Sequence, residues 1–216
     1  NFADFADQFS KDSRYRTELY KLRRKFMSHA DGLIHADLHT SNILASRDEM
    51  KVIDMEFAFM GPFGYDLGYL VGNLISQYCA ACFKRFPSEQ NRKQFKAYLL
   101  ATIKSLIETY MKTFTLCWEK SVKERYRGQQ GLLQSILQEV MEDVPGYASM
   151  VNWFRSVSEI PYPDFDIIED KDAKRNATVL SLMIDWGIMF GRYKYQRADD
   201  LIETIIGIEE EFRKSL

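Results

Sequence analysis

Three cysteines in 216 residues, Cys79, Cys82 and Cys117, are too few and too oddly numbered for a disulfide framework. A reducing, cytoplasmic compartment is the expectation. Cys79 and Cys82 have the spacing of a redox or metal pair, but no second pair and no nearby histidine completes a zinc site. The apolar helical run around them predicts two small core residues instead. Long hydrophobic runs are also missing. None approaches the ~20 residues of a membrane span, and the longest, Val179 to Phe190, carries Asp185 in its middle. Neither sign of charge is in excess, since 29 Lys and Arg face 31 Asp and Glu for a net charge of −2. That balance removes the electrostatic case for nucleic acid or an anionic membrane as a partner. The 11 glycines are scattered, and none follows a candidate strand in the spacing of a phosphate-cradling loop.

What is present is enough apolar material for a sizeable core: 46% hydrophobic against 28% charged residues, which excludes a disordered tail. Tyr15, Leu19, Leu22 and Phe26 recur at spacings of four, three and four and predict an amphipathic helix from Asp12 to His29. Its cluster Lys21-Leu22-Arg23-Arg24-Lys25 reads as a solvated face. Short apolar runs follow at Leu33–His35, Asn42–Ala45 and Met50–Ile53, with a polar turn at Ser46 to Glu49, and predict a loop feeding a small hairpin. Gly61-Pro62-Phe63-Gly64 reads as a turn. Helices are expected at about 65–84, 89–125, 129–143, 146–157, 170–195 and 199–214, with Pro145-Gly146 splitting the middle pair and Pro161-Tyr162-Pro163 marking an extended loop. The fold class is mainly α with a small β element, one domain over 1–216.

The chemistry concentrates on that β element. In Gly32-Leu33-Ile34-His35-Ala36-Asp37-Leu38-His39-Thr40-Ser41-Asn42 a loop holds the Asp37 carboxylate, and Asn42 follows five residues later at the mouth of a strand. Asp54 comes at the end of the next strand, with Glu56 two residues on. Phosphoryl transfer from ATP uses such a set: one carboxylate to orient the acceptor hydroxyl and take its proton, an amide oxygen and a carboxylate for Mg²⁺. His35 and His39 at a spacing of four suggest zinc only on a helix, and Gly32 and Asn42 argue against one there.

His-x-Asp-x-His-x-x-Asn followed by Ile53-Asp54-Met55-Glu56 resembles the aminoglycoside phosphotransferase and choline kinase superfamily of small-molecule kinases. Within it, Leu33–Thr40, Val52–Phe59 and Gly61–Gly68 are similar step by step to the methylthioribose kinases, as are Glu139-Val140 with Asp143, Gly146-Tyr147-Ala148 and Ile168-Glu169-Asp170. The resemblance implies the helical C-terminal lobe of a protein-kinase-like fold, with ATP and Mg²⁺ as cofactors. It implies Asp37 as catalytic base, Asp54 and Glu56 as metal ligands assisted by Asn42, and His35, His39 and Asp66 as residues ordering the catalytic loop. The reaction implied is phosphorylation of the 1-hydroxyl of 5-methylthioribose in methionine salvage, and the assembly a homodimer.

The chain departs from that pattern at several points. Ala36 stands where the family usually has Gly, and Ser41-Asn42 where it has Gly-Ser. Of the arginine pair that grips the sugar, one position is Phe154, leaving Arg155 as the candidate substrate ligand; a guanidinium fork is not replaced by an aromatic ring. Ser158-Glu159-Ile160-Pro161 replaces a further family stretch. An acidic pocket of Glu159, Asp164 and Asp166 would favour a cationic acceptor such as choline or an aminoglycoside. A non-catalytic scaffold on the same fold is the alternative from another class. Asn1 in place of Met and the missing glycine-rich loop lead to the expectation that these residues are one lobe of a two-lobe enzyme, inactive by themselves.

Overall fold

The computed structural model describes residues 11–157 and 163–216. Helix α1, Ser13–Ser28, starts where Asp12 accepts a hydrogen bond from the Arg14 N–H at 2.8 Å and so caps a donor with no helical partner. Tyr15 and Leu22 are buried on its inner face, with Leu19 and Phe26 packed beside them. The basic cluster is solvated only in part: Lys25 pairs with Asp143 at 2.6 Å and also reaches Glu139.

Four three-residue strands follow: β1 Gly32–Ile34, β2 Ile43–Ala45, β3 Met50–Val52 and β4 Phe59–Gly61. β2 and β3 form the expected hairpin, Ile43 opposite Val52. β1 is not merely a lead-in, because it pairs antiparallel with β4, Gly32 opposite Gly61. The turn read at Gly61 is therefore the end of a strand; three residues are too few to show an alternation.

The remainder is helical: α2 Tyr65–Phe83, α3 Glu89–Ser121, α4 Gln130–Val157, the short α5 Pro163–Asp166, α6 Lys171–Gly191 and α7 Ala198–Ser215. α2 is buried along nearly its whole length and packs against α3, α4 and α6. Cys79 and Cys82 lie in this core as predicted, and burial pushes the Cys82 thiol up to about 12. A side chain on α2 would collide with α4: a Cβ at Gly68 would lie 2.7 Å from Tyr147 Cβ, and one at Gly72 2.8 Å from the Ala148 carbonyl. This close approach places the start of α2 beside the middle of α4, and the site depends on it.

One expected boundary fails. α4 runs through Pro145 without a break. Proline removes the N–H that would bond four residues back, yet packing against α2 and α6 holds the helix together. The Arg192 guanidinium donates to the Glu142 carbonyl in the turn that Pro145 loosens, at 3.3 Å. Pro161 and Tyr162 lie outside the described residues, as do Ser158 to Ile160, while Pro163 opens α5 rather than an extended loop. Asp185 sits fully buried in α6, where Asn152 of α4 donates to it at 2.6 Å. Among the described residues no helix is long and apolar enough to cross a membrane.

Candidate active site

The loop from β1 to β2 is fastened at each predicted position. Asp66, in the first turn of α2, accepts hydrogen bonds from the backbone N–H groups of His35 at 2.6 Å and Ala36 at 2.9 Å. Burial raises the Asp66 carboxyl above its ordinary value, against the pull of those two donors. Ala36 has φ 68°, a left-handed conformation natural to glycine and costly for an L side chain. The kink immediately precedes Asp37, whose carboxylate lies 3.5 Å from His39 Nε2.

His35 is buried. Its Nε2 lies 2.8 Å from the Ile53 carbonyl and its Nδ1 accepts from the Asp37 N–H at 3.3 Å. A carbonyl only accepts and an N–H only donates, so these partners fix the tautomer with the proton on Nε2. The ring thus joins the Asp37 loop to the residue before Asp54. Asn42 is buried too: its side-chain amide donates to the Asp37 carbonyl at 3.0 Å, and its own carbonyl accepts from the Ile53 N–H at 3.0 Å. With the amide nitrogen committed, its side-chain oxygen is left as an acceptor.

Asp54 leaves β3 with φ 66°, which Asp tolerates better than most residues. Asp54 is exposed, and Glu56 is exposed in the turn beyond it. Asp37, His35, Asn42 and Ile53 therefore belong to one hydrogen-bonded patch, with Asp54 next in the chain and Glu56 beyond it. Among the described residues no three His, Cys, Asp or Glu side chains converge on a metal position. Magnesium does not require that, since it takes one or two protein carboxylates and completes its shell with water and phosphate. The free Asn42 oxygen and the open Asp54 carboxylate are a donor set of that kind. His35 and His39 do not share a helix, and no zinc site forms from them. His39 Nε2 instead lies 3.5 Å from an Asp37 carboxylate oxygen.

Arg155 comes to this site from the far end of α4. It is buried, its guanidinium 5.4 Å over the Tyr69 ring and 3.9 Å from Asp164. Tyr69 in turn stands between two charges. Burial raises its phenol, hydrogen bonding to Arg155 lowers it, and hydrogen bonding to Asp37 raises it. Tyr69 thus lies between the candidate substrate ligand and the candidate base, its ring 6.3 Å from that of His39, which sits against Asp37. Phe154, beside Arg155, is exposed. Burial pushes the Asp164 carboxyl up to about 6, with Arg155 and Lys84 opposing. Of the acidic pocket considered for a cationic acceptor, Asp164 faces Arg155 and Asp166 pairs with Lys174 at 2.5 Å, while Glu159 lies outside the described residues.

Tyr69 escaped the reading of the sequence, although a signal for it existed. Asp66, Tyr69 and Asn73 follow at spacings of three and four on an otherwise apolar helix and share one face. All three turn to the loop, Asn73 accepting from the Thr40 N–H at 3.4 Å. Beside Tyr69 and Arg155 opens a cleft of about 610 Å³, walled by α1 and α4 and lined with aromatic and aliphatic side chains.

Residues 3–106 match the model of the phosphotransferase enzyme family. The methylthioribose kinase of Geobacillus thermodenitrificans (strain NG80-2) is 35% identical over 192 residues, 86% of this chain and 46% of that enzyme. The methylthioribose kinase of Geobacillus kaustophilus (strain HTA426) is 35% identical over 193 residues, 87% of this chain and 46% of the enzyme. That of Yersinia enterocolitica serotype O:8 is 27% identical over 195 residues, 90% of this chain and 48% of the enzyme. The chain spans about half the length of these relatives and matches their C-terminal part.

Proposed function

This chain is a homologue of the methylthioribose kinases and carries the pattern of the phosphotransferase enzyme family, and from that premise we propose that it is the catalytic and acceptor-binding lobe of a small-molecule kinase. The reaction is Mg²⁺-dependent phosphoryl transfer from ATP to a sugar hydroxyl, with the 1-hydroxyl of 5-methylthioribose as acceptor. Most of the nucleotide site is assigned to residues outside this chain, so these 216 residues are inactive by themselves. The full-length enzyme is proposed to be a cytoplasmic homodimer.

The observation that carries the reading is the fastening of the Asp37 loop. Asp66 holds two backbone N–H groups ahead of Asp37 and Asn42 holds the carbonyl behind it, so the loop has little freedom to move the carboxylate. A preset carboxylate suits a base that must meet one hydroxyl in one orientation. Asp37 accepts the proton of that hydroxyl as its oxygen attacks phosphorus. Asn42 and Asp54 would hold Mg²⁺, with Glu56 reaching the same ion from the turn. When bound, Mg²⁺–ATP supplies the phosphoryl group and the charge that neutralises it. Arg155 and Tyr69 border the acceptor and keep its hydroxyl on Asp37.

The test is made on the full-length natural protein with 5-methylthioribose, ATP and Mg²⁺. Equimolar ADP and sugar 1-phosphate are expected, and Asp37→Asn should lower kcat by about a thousandfold while Mg²⁺–ATP still binds. Turnover undiminished in Asp37→Asn would remove Asp37 from the base role. A wild-type enzyme idle with every sugar offered would favour the scaffold.

A further inference from the structure

The cleft beside Tyr69 is larger than a methylthio group needs, and its walls are chemically one-sided. At about 610 Å³ it has the size of a site for a whole small molecule. Leu19 and Phe26 of α1 face Met150 and Trp153 of α4 across it. Tyr20 and Phe154 on its lining are exposed, at 60% and 58%. Single exposed apolar side chains carry no message, but several around one concavity mark a place where something binds. Among the described residues no carboxylate lines the cleft, whereas Arg16, Arg23 and Arg155 do. Three guanidiniums with no carboxylate to balance them disfavour a cationic ligand, although the aromatic faces by themselves accept one.

One end of the cleft determines what it can serve. Tyr69 and Arg155 both line it, and Tyr69 also neighbours the Asp37 loop, its ring 6.3 Å from that of His39, whose Nε2 lies 3.5 Å from the Asp37 carboxylate. A molecule whose hydroxyl lies on Asp37 therefore has its remainder directed past Tyr69 into the aromatic walls. We propose that this cleft seats the apolar substituent of the acceptor, and that the chain favours uncharged or anionic hydroxylated sugars whose substituent is bulkier than methylthio. The assignment rests on the kinase reading above and names the substrate class of that same site.

The experiment uses full-length protein and a series of 5-thioriboses bearing S-methyl, S-propyl and S-pentyl groups. Burying each added methylene should lower the acceptor KM by up to about fourfold until the cleft is full. Leu19→Trp and Met150→Trp, which fill the cleft from opposite walls, should reverse that order so that the S-pentyl sugar becomes the poorest. Two variants guard against one that does not fold, and the wild-type series needs neither. A KM that is flat or rises with chain length, while the S-methyl sugar is still phosphorylated, overturns the inference and leaves the kinase reading standing. Failure of every thioribose overturns both. Variants that shift the melting temperature but leave the order of KM values unchanged would mean that protein, not substrate, fills the cleft, and also overturn it.

Discussion

The Asp66 carboxylate grips the backbone of Ala36, thirty residues earlier, at the one position of the loop where the chain turns left-handed. The strained residue and the clamp belong together. Without the two bonds from Asp66, nothing in the local sequence would hold Ala36 at φ 68°, and Asp37 would lose its fixed direction.

Asp66→Asn is expected to damage activity more than folding. One oxygen still accepts, but the new amide N–H₂ faces a backbone donor, leaving a buried group unmatched at a cost of about 2 kcal/mol. The released loop should lower kcat ten- to a hundredfold with little change in KM for ATP, an order of magnitude typical of a misplaced catalytic group. Steady-state kinetics and urea unfolding on the same preparation check the two effects separately.

Ala36→Gly should stabilise the protein. A left-handed alanine costs roughly 1 kcal/mol that glycine does not incur, though glycine returns part of this through its freer unfolded chain. A gain of up to about 1 kcal/mol is expected, read as a higher denaturation midpoint. A loss of stability would mean that the methyl group packs better than its backbone angle suggests.

Tyr69→Phe removes only the phenol hydroxyl, on which Asp37 and Arg155 act in opposite directions. The ring stays beneath the Arg155 guanidinium, so the melting temperature should change little. The full-length enzyme should lose about tenfold in kcat, because the polar group between the carboxylate and the guanidinium is gone. An unchanged kcat would leave Tyr69 as a wall of the cleft and nothing more.

Glu209, on α7, provides a pH test away from the site. It accepts from Tyr78 of α2, from Lys96 of α3 and from Arg213 at 2.6 Å. Burial acts to raise its carboxyl, but these donors win and hold it at about 2, against 4.5 for the free group. The native state therefore binds the proton less readily than the unfolded chain, so the stabilisation is fully present above pH 4.5 and is lost as pH falls towards 2. Glu209→Gln should cost about 2 kcal/mol at pH 7, and that difference should vanish in acid. Denaturation of both proteins from pH 7 to pH 2 measures it.

Much of this protein can be read without a structure wherever the controlling interactions are local. The α1 helix follows from its apolar spacing and the Asp12 cap, and the β2–β3 hairpin from two apolar runs and a polar turn. Asp37 and Asn42 are tied by a bond five residues apart, and the hairpin brings Ile53, the residue before Asp54, back to Asn42. The failures share the opposite property. Pro145 predicts a break from backbone chemistry alone, and only packing against α2 and α6 keeps the helix whole. The pairing of β1 with β4, the reach of Asp66 to Ala36 and the arrival of Arg155 over Tyr69 join segments far apart in the chain. Spacing along a sequence carries periodicity, caps and turns, which act over a few residues. Which distant faces meet is decided by close packing, here by glycines that let α2 and α4 touch and so bring Tyr69 and Arg155 to one wall of the cleft.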